Sequence, residues 1–111
     1  MKFSFKHPYS FDPVYSTPVA YFCMEYALHQ SLKIYAGGLG YLAGSHMRSA
    51  FELKQNMIGI GILWKYGYYD QVRKSDQTMD ILFQEKVYGY LQKTGIKFTI
   101  PVSKHNVWVT A

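Results

Sequence analysis

Two near-continuous apolar runs constrain this chain more than any other feature. They are Val19-Ala20-Tyr21-Phe22-Cys23-Met24 and Met57-Ile58-Gly59-Ile60-Gly61-Ile62-Leu63-Trp64. Runs without polar alternation suit strands covered on both faces, the condition met in parallel sheets. Parallel neighbours cannot be joined by a hairpin and need a crossover, usually a helix. Here Leu39, Leu42, Ala43, Met47, Ala50 and Leu53 recur at helical spacing and predict a helix from about Leu39 to Lys54. Arg48 and Lys54 suit the negative end of its dipole, and Gln55-Asn56 breaks it. Strand, helix and strand make a βαβ unit, expected to be right-handed.

The helix opens on Gly37-Gly38-Leu39-Gly40. A glycine-rich turn feeding a helix N-terminus lets backbone N–H groups approach an anion, and the dipole adds attraction. A phosphate or sugar-phosphate cradle fits these residues, and so does a tight turn with no ligand. Gly38-Leu39-Gly40-Tyr41-Leu42-Ala43 formally matches the dinucleotide fingerprint. The match fails in context, because the glycines lie about a dozen residues after the first strand instead of directly behind it. No acidic residue follows the second strand to hold a ribose, and no Gly-Lys-Ser/Thr of a P-loop occurs.

Around this core, Pro8, Pro13 and Pro18 mark residues 1–17 as an extended lead-in. Residues 18–72 form the core. Residues 73–111 read as an α/β or β excursion, with Thr78 to Thr94 compatible with a helix or strands and further strands at Lys97–Val102 and Asn106–Ala111. The 111 residues bound the chain to a single domain. With 49% hydrophobic and 17% charged residues, disorder is excluded by composition. No apolar run reaches the roughly 20 residues of a membrane helix, and no signal-peptide core is present. The lone Cys23 fits a reducing compartment, so a cytoplasmic location without membrane attachment is expected. The net charge of +5 is dispersed, which argues against a nucleic-acid partner.

No set of histidines, cysteines and carboxylates has metal-ligand spacing, so no metal site is expected. His46 reads as a core or rim residue and Cys23 as a small hydrophobe. Glu25 ends the first strand where α/β sheets place functional groups. It reads equally well as a partner for a nearby backbone group or cation.

The text from Ala20 to Leu32, then Ile34-Tyr35-Ala36-Gly37-Gly38-Leu39-Gly40-Tyr41-Leu42-Ala43-Gly44, resembles the α-glucan (glycogen/maltodextrin) phosphorylases, most closely their shorter bacterial branch. Gly59 to Gln71 continues the resemblance in register, so that it covers roughly residues 18–72. It implies an α/β chain with a mostly parallel sheet, a partial Rossmann-like N-terminal domain of the two-domain GT-B glycosyltransferase fold. The implied activity is phosphorolysis of α-1,4-glucan ends to glucose 1-phosphate, with α-glucan and inorganic phosphate as partners. Carried over residue by residue, Gly37, Gly38 and Leu39 would offer N–H groups to phosphate and sugar, with Gly40 starting the helix. Glu25, His29 and Lys65 would be cleft residues.

The family also carries pyridoxal phosphate. Its Schiff-base lysine belongs to the second domain, so no covalently bound cofactor and no complete catalytic set are expected here, and the isolated chain is expected to be inactive. This sequence departs from the family's usual pattern at Lys33 (Pro), Ser45 (Asp) and Lys65 (Arg). The lost Asp weakens a dipole complement, and Lys for Arg forfeits bidentate geometry. A glucan-binding or protein-interaction module derived from such a half-domain is the alternative. A nucleotide-sugar glycosyltransferase is weaker, since glycogen synthases usually place Lys where Tyr35 stands. Uncovered sheet edges and faces also lead us to expect self-association.

Overall fold

In the computed structural model, which describes residues 3–111, the two apolar runs become β1 (Val19–Phe22) and β2 (Met57–Ile60). They pair in parallel, from Val19 opposite Met57 to Phe22 opposite Ile60. Between them runs α1 (Gly38–Glu52), N-capped by Gly37. The predicted βαβ unit is present, with shorter strands than the apolar runs. The remaining sheets are hairpins. β3 (Asp70–Arg73) pairs antiparallel with β4 (Met79–Leu82), and β5 (Lys97–Val102) with β6 (His105–Thr110). The architecture is thus α/β with one α-helix and three two-stranded sheets, one of them parallel.

The hairpins follow from short connections. Ser103-Lys104 alone link β5 to β6, and Ser103 takes the positive φ of 55° that tight hairpin turns demand. The loop from β3 to β4 closes with the Lys74 N–H donating to Thr78 O at 2.9 Å, and Gln77 takes a φ of 70°. The chain divides into two compact units. One comprises Tyr9–Val87, and the other comprises Tyr88–Ala111 with the described residues up to Pro8. The second unit is built on the β5–β6 hairpin, whose end is tied by Thr94 N–H to Ala111 O and Ala111 N–H to Ile96 O.

The core of the Tyr9–Val87 unit lies between α1 and the parallel pair. Tyr26, Ile34 and Ala43 are buried there, flanked by Tyr21, Cys23, Leu32, Met47 and Trp64. The Tyr26 hydroxyl reaches both strands, donating toward Tyr21 O at 2.5 Å and Ile60 O at 3.3 Å. The sheet is covered on one face only. Met47 of α1 lies against the Gly59 position, while Phe22, Met24, Ile60 and Ile62 stay exposed. The expectation of strands buried on both faces therefore holds for one face of β1 and β2.

Arg48 does more than complement a dipole. Its guanidinium donates to Ala27 O at 2.9 Å and Leu28 O at 2.7 Å, clamping the segment after β1 onto the helix. Contact at Gly44 is closer still, since a Cβ there would lie 2.3 Å from Ala27 O. Only glycine permits that approach. The helix ends in a Schellman motif, with Gln55 N–H on Ala50 O and Lys54 N–H on Phe51 O. Lys54 occupies the left-handed position at φ 52°, where glycine would be unstrained.

Two stability predictions follow from this geometry. Gly44→Ala should lower stability by about 3 kcal/mol, because backbone must shift. Lys54→Gly should raise it by about 1 kcal/mol. Urea midpoints at unchanged slope measure both.

Candidate functional site

The carboxyl edge of the parallel pair is where α/β sheets build sites, and both segments leaving that edge contribute here. Glu25 follows β1, and Tyr68 lies in the aromatic loop after β2. The Tyr68 hydroxyl donates to Glu25 Oε1. Glu25 Oε2 accepts the N–H groups of Ala36 at 3.3 Å and Gly37 at 3.5 Å. The chain's own carboxylate thus sits at the N-terminal end of α1, where the helix dipole favours negative charge.

Both titrations respond. The hydrogen bond from Tyr68, reinforced by the N–H groups of Ala36, Gly37 and Gly40, holds the Glu25 carboxyl below its usual range despite partial desolvation. Burial, with the adjacent carboxylate, pushes the Tyr68 hydroxyl up to about 12.

The glycines divide by role. A Cβ at Gly40 would stand 2.6 Å from Tyr35 Cβ and 3.0 Å from Glu25 Oε2, so a bare α-carbon there lets Glu25 in. At Gly37 and Gly38 an added Cβ would meet nothing within 4 Å. The fold's own packing does not require those two glycines. No acceptor among the described residues meets the N–H groups of Gly38 and Leu39, which remain directed out of the first helical turn.

Glu25 and the turn Gly37, Gly38, Leu39 and Gly40 therefore come together. His29 and Lys65 do not join them. His29 Nδ1 lies 2.7 Å from Ser31 Oγ and accepts the Ser31 N–H at 3.2 Å, closing a local turn. Lys65 pairs with Glu85 at 3.5 Å and lies over the Tyr66 ring. Tyr68 was missed by the sequence reading as a site residue. The available signal was its place in a polar-aromatic loop at the same sheet edge as Glu25. Among the described residues, no group of three histidines, cysteines or carboxylates is placed to hold a metal, and no helix is long and apolar enough to cross a membrane.

Comparison with known proteins agrees with the resemblance. The chain is 45% identical over 73 residues to a maltodextrin phosphorylase of Thermococcus litoralis, which covers 66% of this chain and 9% of that protein. It is 35% identical over 80 residues to glycogen phosphorylase of Mycobacterium tuberculosis, covering 72% and 9%. An uncharacterized protein of Methanocaldococcus jannaschii is 50% identical over 94 residues, 85% of this chain and 18% of that protein. The chain spans less than a fifth of the length of these relatives. No family model and no solved structure matches it.

The Glu25–Tyr68 pair makes the stability depend on pH at both ends. Glu25 has a lowered folded-state pKa, so its contribution is present above the ordinary carboxylate pKa of 4.5 and lost as pH falls through the folded value. Tyr68 has a raised one, so its contribution is complete below 10 and lost as pH rises toward about 12. Tyr68→Phe should cost about 1.5 kcal/mol at neutral pH, the low end for a bond to a charged group. It should also flatten both limbs of a denaturant-midpoint profile against pH. Unchanged limbs would refute the pairing.

Proposed function

We propose that this chain, a phosphorylase-related segment, supplies one wall of a glucan phosphorylase active site within a Rossmann-like domain of GT-B type. The supporting observation is the turn itself. Gly37 and Gly38 have bare α-carbons facing open space, and the N–H groups of Gly38 and Leu39 have no internal acceptor. Such a surface admits an oxyanion to backbone distance.

In phosphorolysis of an α-1,4-glucan, the bond from C1 of the terminal glucosyl unit to the next sugar's O4 breaks. A phosphate oxygen bonds to C1, and the O4 takes up a proton. Charge develops on an oxocarbenium-like ring flanked by the phosphate, and fixed N–H dipoles stabilise that arrangement without reorganising. Gly38 and Leu39 would bind phosphate or glucosyl oxygens. Glu25, held by Tyr68, is a positioning residue. Its charge is spent on the N–H groups of Ala36 and Gly37 and fixes the turn.

Pyridoxal phosphate, which the family supplies as a phosphate group next to the substrate phosphate, does not fit the residues at this turn. The ionised group there is a carboxylate, which repels phosphate, while Lys65 and Lys86 are paired with Glu85 and Asp70. We therefore assign no cofactor contact to this segment.

Gly38→Val tests the reading, because the side chain enters open space in the fold but blocks the turn. In the protein carrying this segment, maltodextrin phosphorolysis should fall about 100-fold in kcat/KM, the loss typical of an oxyanion-binding group. Stability should change by no more than about 0.5 kcal/mol. Near-normal turnover in this variant would overturn the proposal. Saturable maltooligosaccharide binding without any phosphorolysis by the unaltered protein would favour a glucan-binding module instead.

A further inference from the structure

On the flank of the turn, Lys33, Tyr35, Tyr68, Tyr69, Asp70 and Gln71 line an open cavity of about 410 Å³. That volume is within the roughly 300–1,000 Å³ typical of ligand pockets. It lies wholly inside the Tyr9–Val87 unit, and the phosphate and glucosyl roles of the turn make no use of it. We propose that this cavity is a carbohydrate site that holds a neutral stretch of glucan beside the turn.

The lining argues for a sugar. Three tyrosines offer apolar ring faces, and the apolar C–H face of a pyranose packs on such rings while its hydroxyl rim needs hydrogen bonds. Asp70 and Gln71 supply acceptors and an amide donor at the wall. Lys33 and Asp70 carry opposite charges, so the lining has no net preference for an ion.

The site is also preorganised. The Tyr68 hydroxyl is committed to Glu25, which fixes its ring. Asp70 is anchored by the largely buried ammonium of Lys86. The Tyr69 ring stands edge-on to Phe83, with centroids 6.3 Å apart. Side chains held this way lose little freedom on binding, which favours affinity. Tyr35 leads into the turn and Tyr68 touches Glu25, so an occupant of the cavity adjoins the turn without covering Gly38.

The class of ligand stands on this lining. The choice of α-1,4-glucan among carbohydrates rests on the phosphorylase reading.

Calorimetric titration of the 111-residue chain with maltotetraose, and separately with cellotetraose, tests the site. Saturable maltotetraose binding is expected. Tyr69→Ala should weaken it about five- to ten-fold, the worth of a lost aromatic face. Gln71→Ala should weaken it by a smaller factor, and Gly38→Val should leave it intact. Far-ultraviolet circular dichroism checks folding, and if Tyr69→Ala is unfolded, Gln71→Ala decides. Absence of binding to both sugars overturns the proposal. So does binding that Gly38→Val abolishes while Tyr69→Ala and Gln71→Ala leave it unchanged. Binding of cellotetraose but not maltotetraose keeps the carbohydrate site and overturns its α-glucan assignment. Failure of the turn's catalytic role reads out separately, as normal phosphorolysis by Gly38→Val.

Discussion

The contact between α1 and the backbone just after β1 is the constraint on which the rest of this structure depends. Gly44 lies so close to Ala27 that no side chain fits, Ala27 N–H donates to Gly40 O at 2.9 Å, and Arg48 fastens the carbonyls of Ala27 and Leu28. Those ties set the depth at which the helix rests on the sheet. They bury Tyr26 and Ala43, and they deliver Glu25, two residues upstream of Ala27, to the start of the helix. Helix packing and site construction are one event here. A change at Gly44 acts on the glycine turn although it touches no ligand.

That placement alters the meaning of an apparent deficit in the sequence. The first turn of α1 has no acidic residue of its own, and Ser45 stands where the phosphorylases usually have Asp. Negative charge nevertheless reaches the helix N-terminus, brought from β1 by Glu25 and fixed by Tyr68 from the loop after β2. The macrodipole is complemented through tertiary structure instead of local sequence. A carboxylate also takes up part of the N–H array, so only the outward pair at Gly38 and Leu39 remains for a ligand.

What could be read from the sequence depended on whether the signal was local. Helical spacing from Leu39 to Leu53 and the apolar runs gave the βαβ unit, because periodicity survives whatever the tertiary context. The strand pairs at 97–110 were visible for the same reason. The predominance of hairpins was less visible, since a positive φ at Ser103 or Gln77 is adopted by residues with no special turn propensity. The turn and Glu25 were found by position. Tyr68 was not singled out, because its partner is distant in sequence. His29 and Lys65 were carried over by resemblance, and each makes its hydrogen bonds or ion pairs with neighbours away from Glu25.

The separation of 43 residues between Glu25 and Tyr68 bears on how the molecule assembles. Hairpins such as β3–β4 close over a few residues, at little entropic cost and on the microsecond scale. The Glu25–Tyr68 bond cannot form until both strands of the parallel pair have met across the entire crossover. The site is thus completed with the slow, long-range step of folding and is absent from any species that has only its local elements. Ligand affinity at the turn would accordingly report on native topology as a whole, and the secondary structure of the parts would be silent about it.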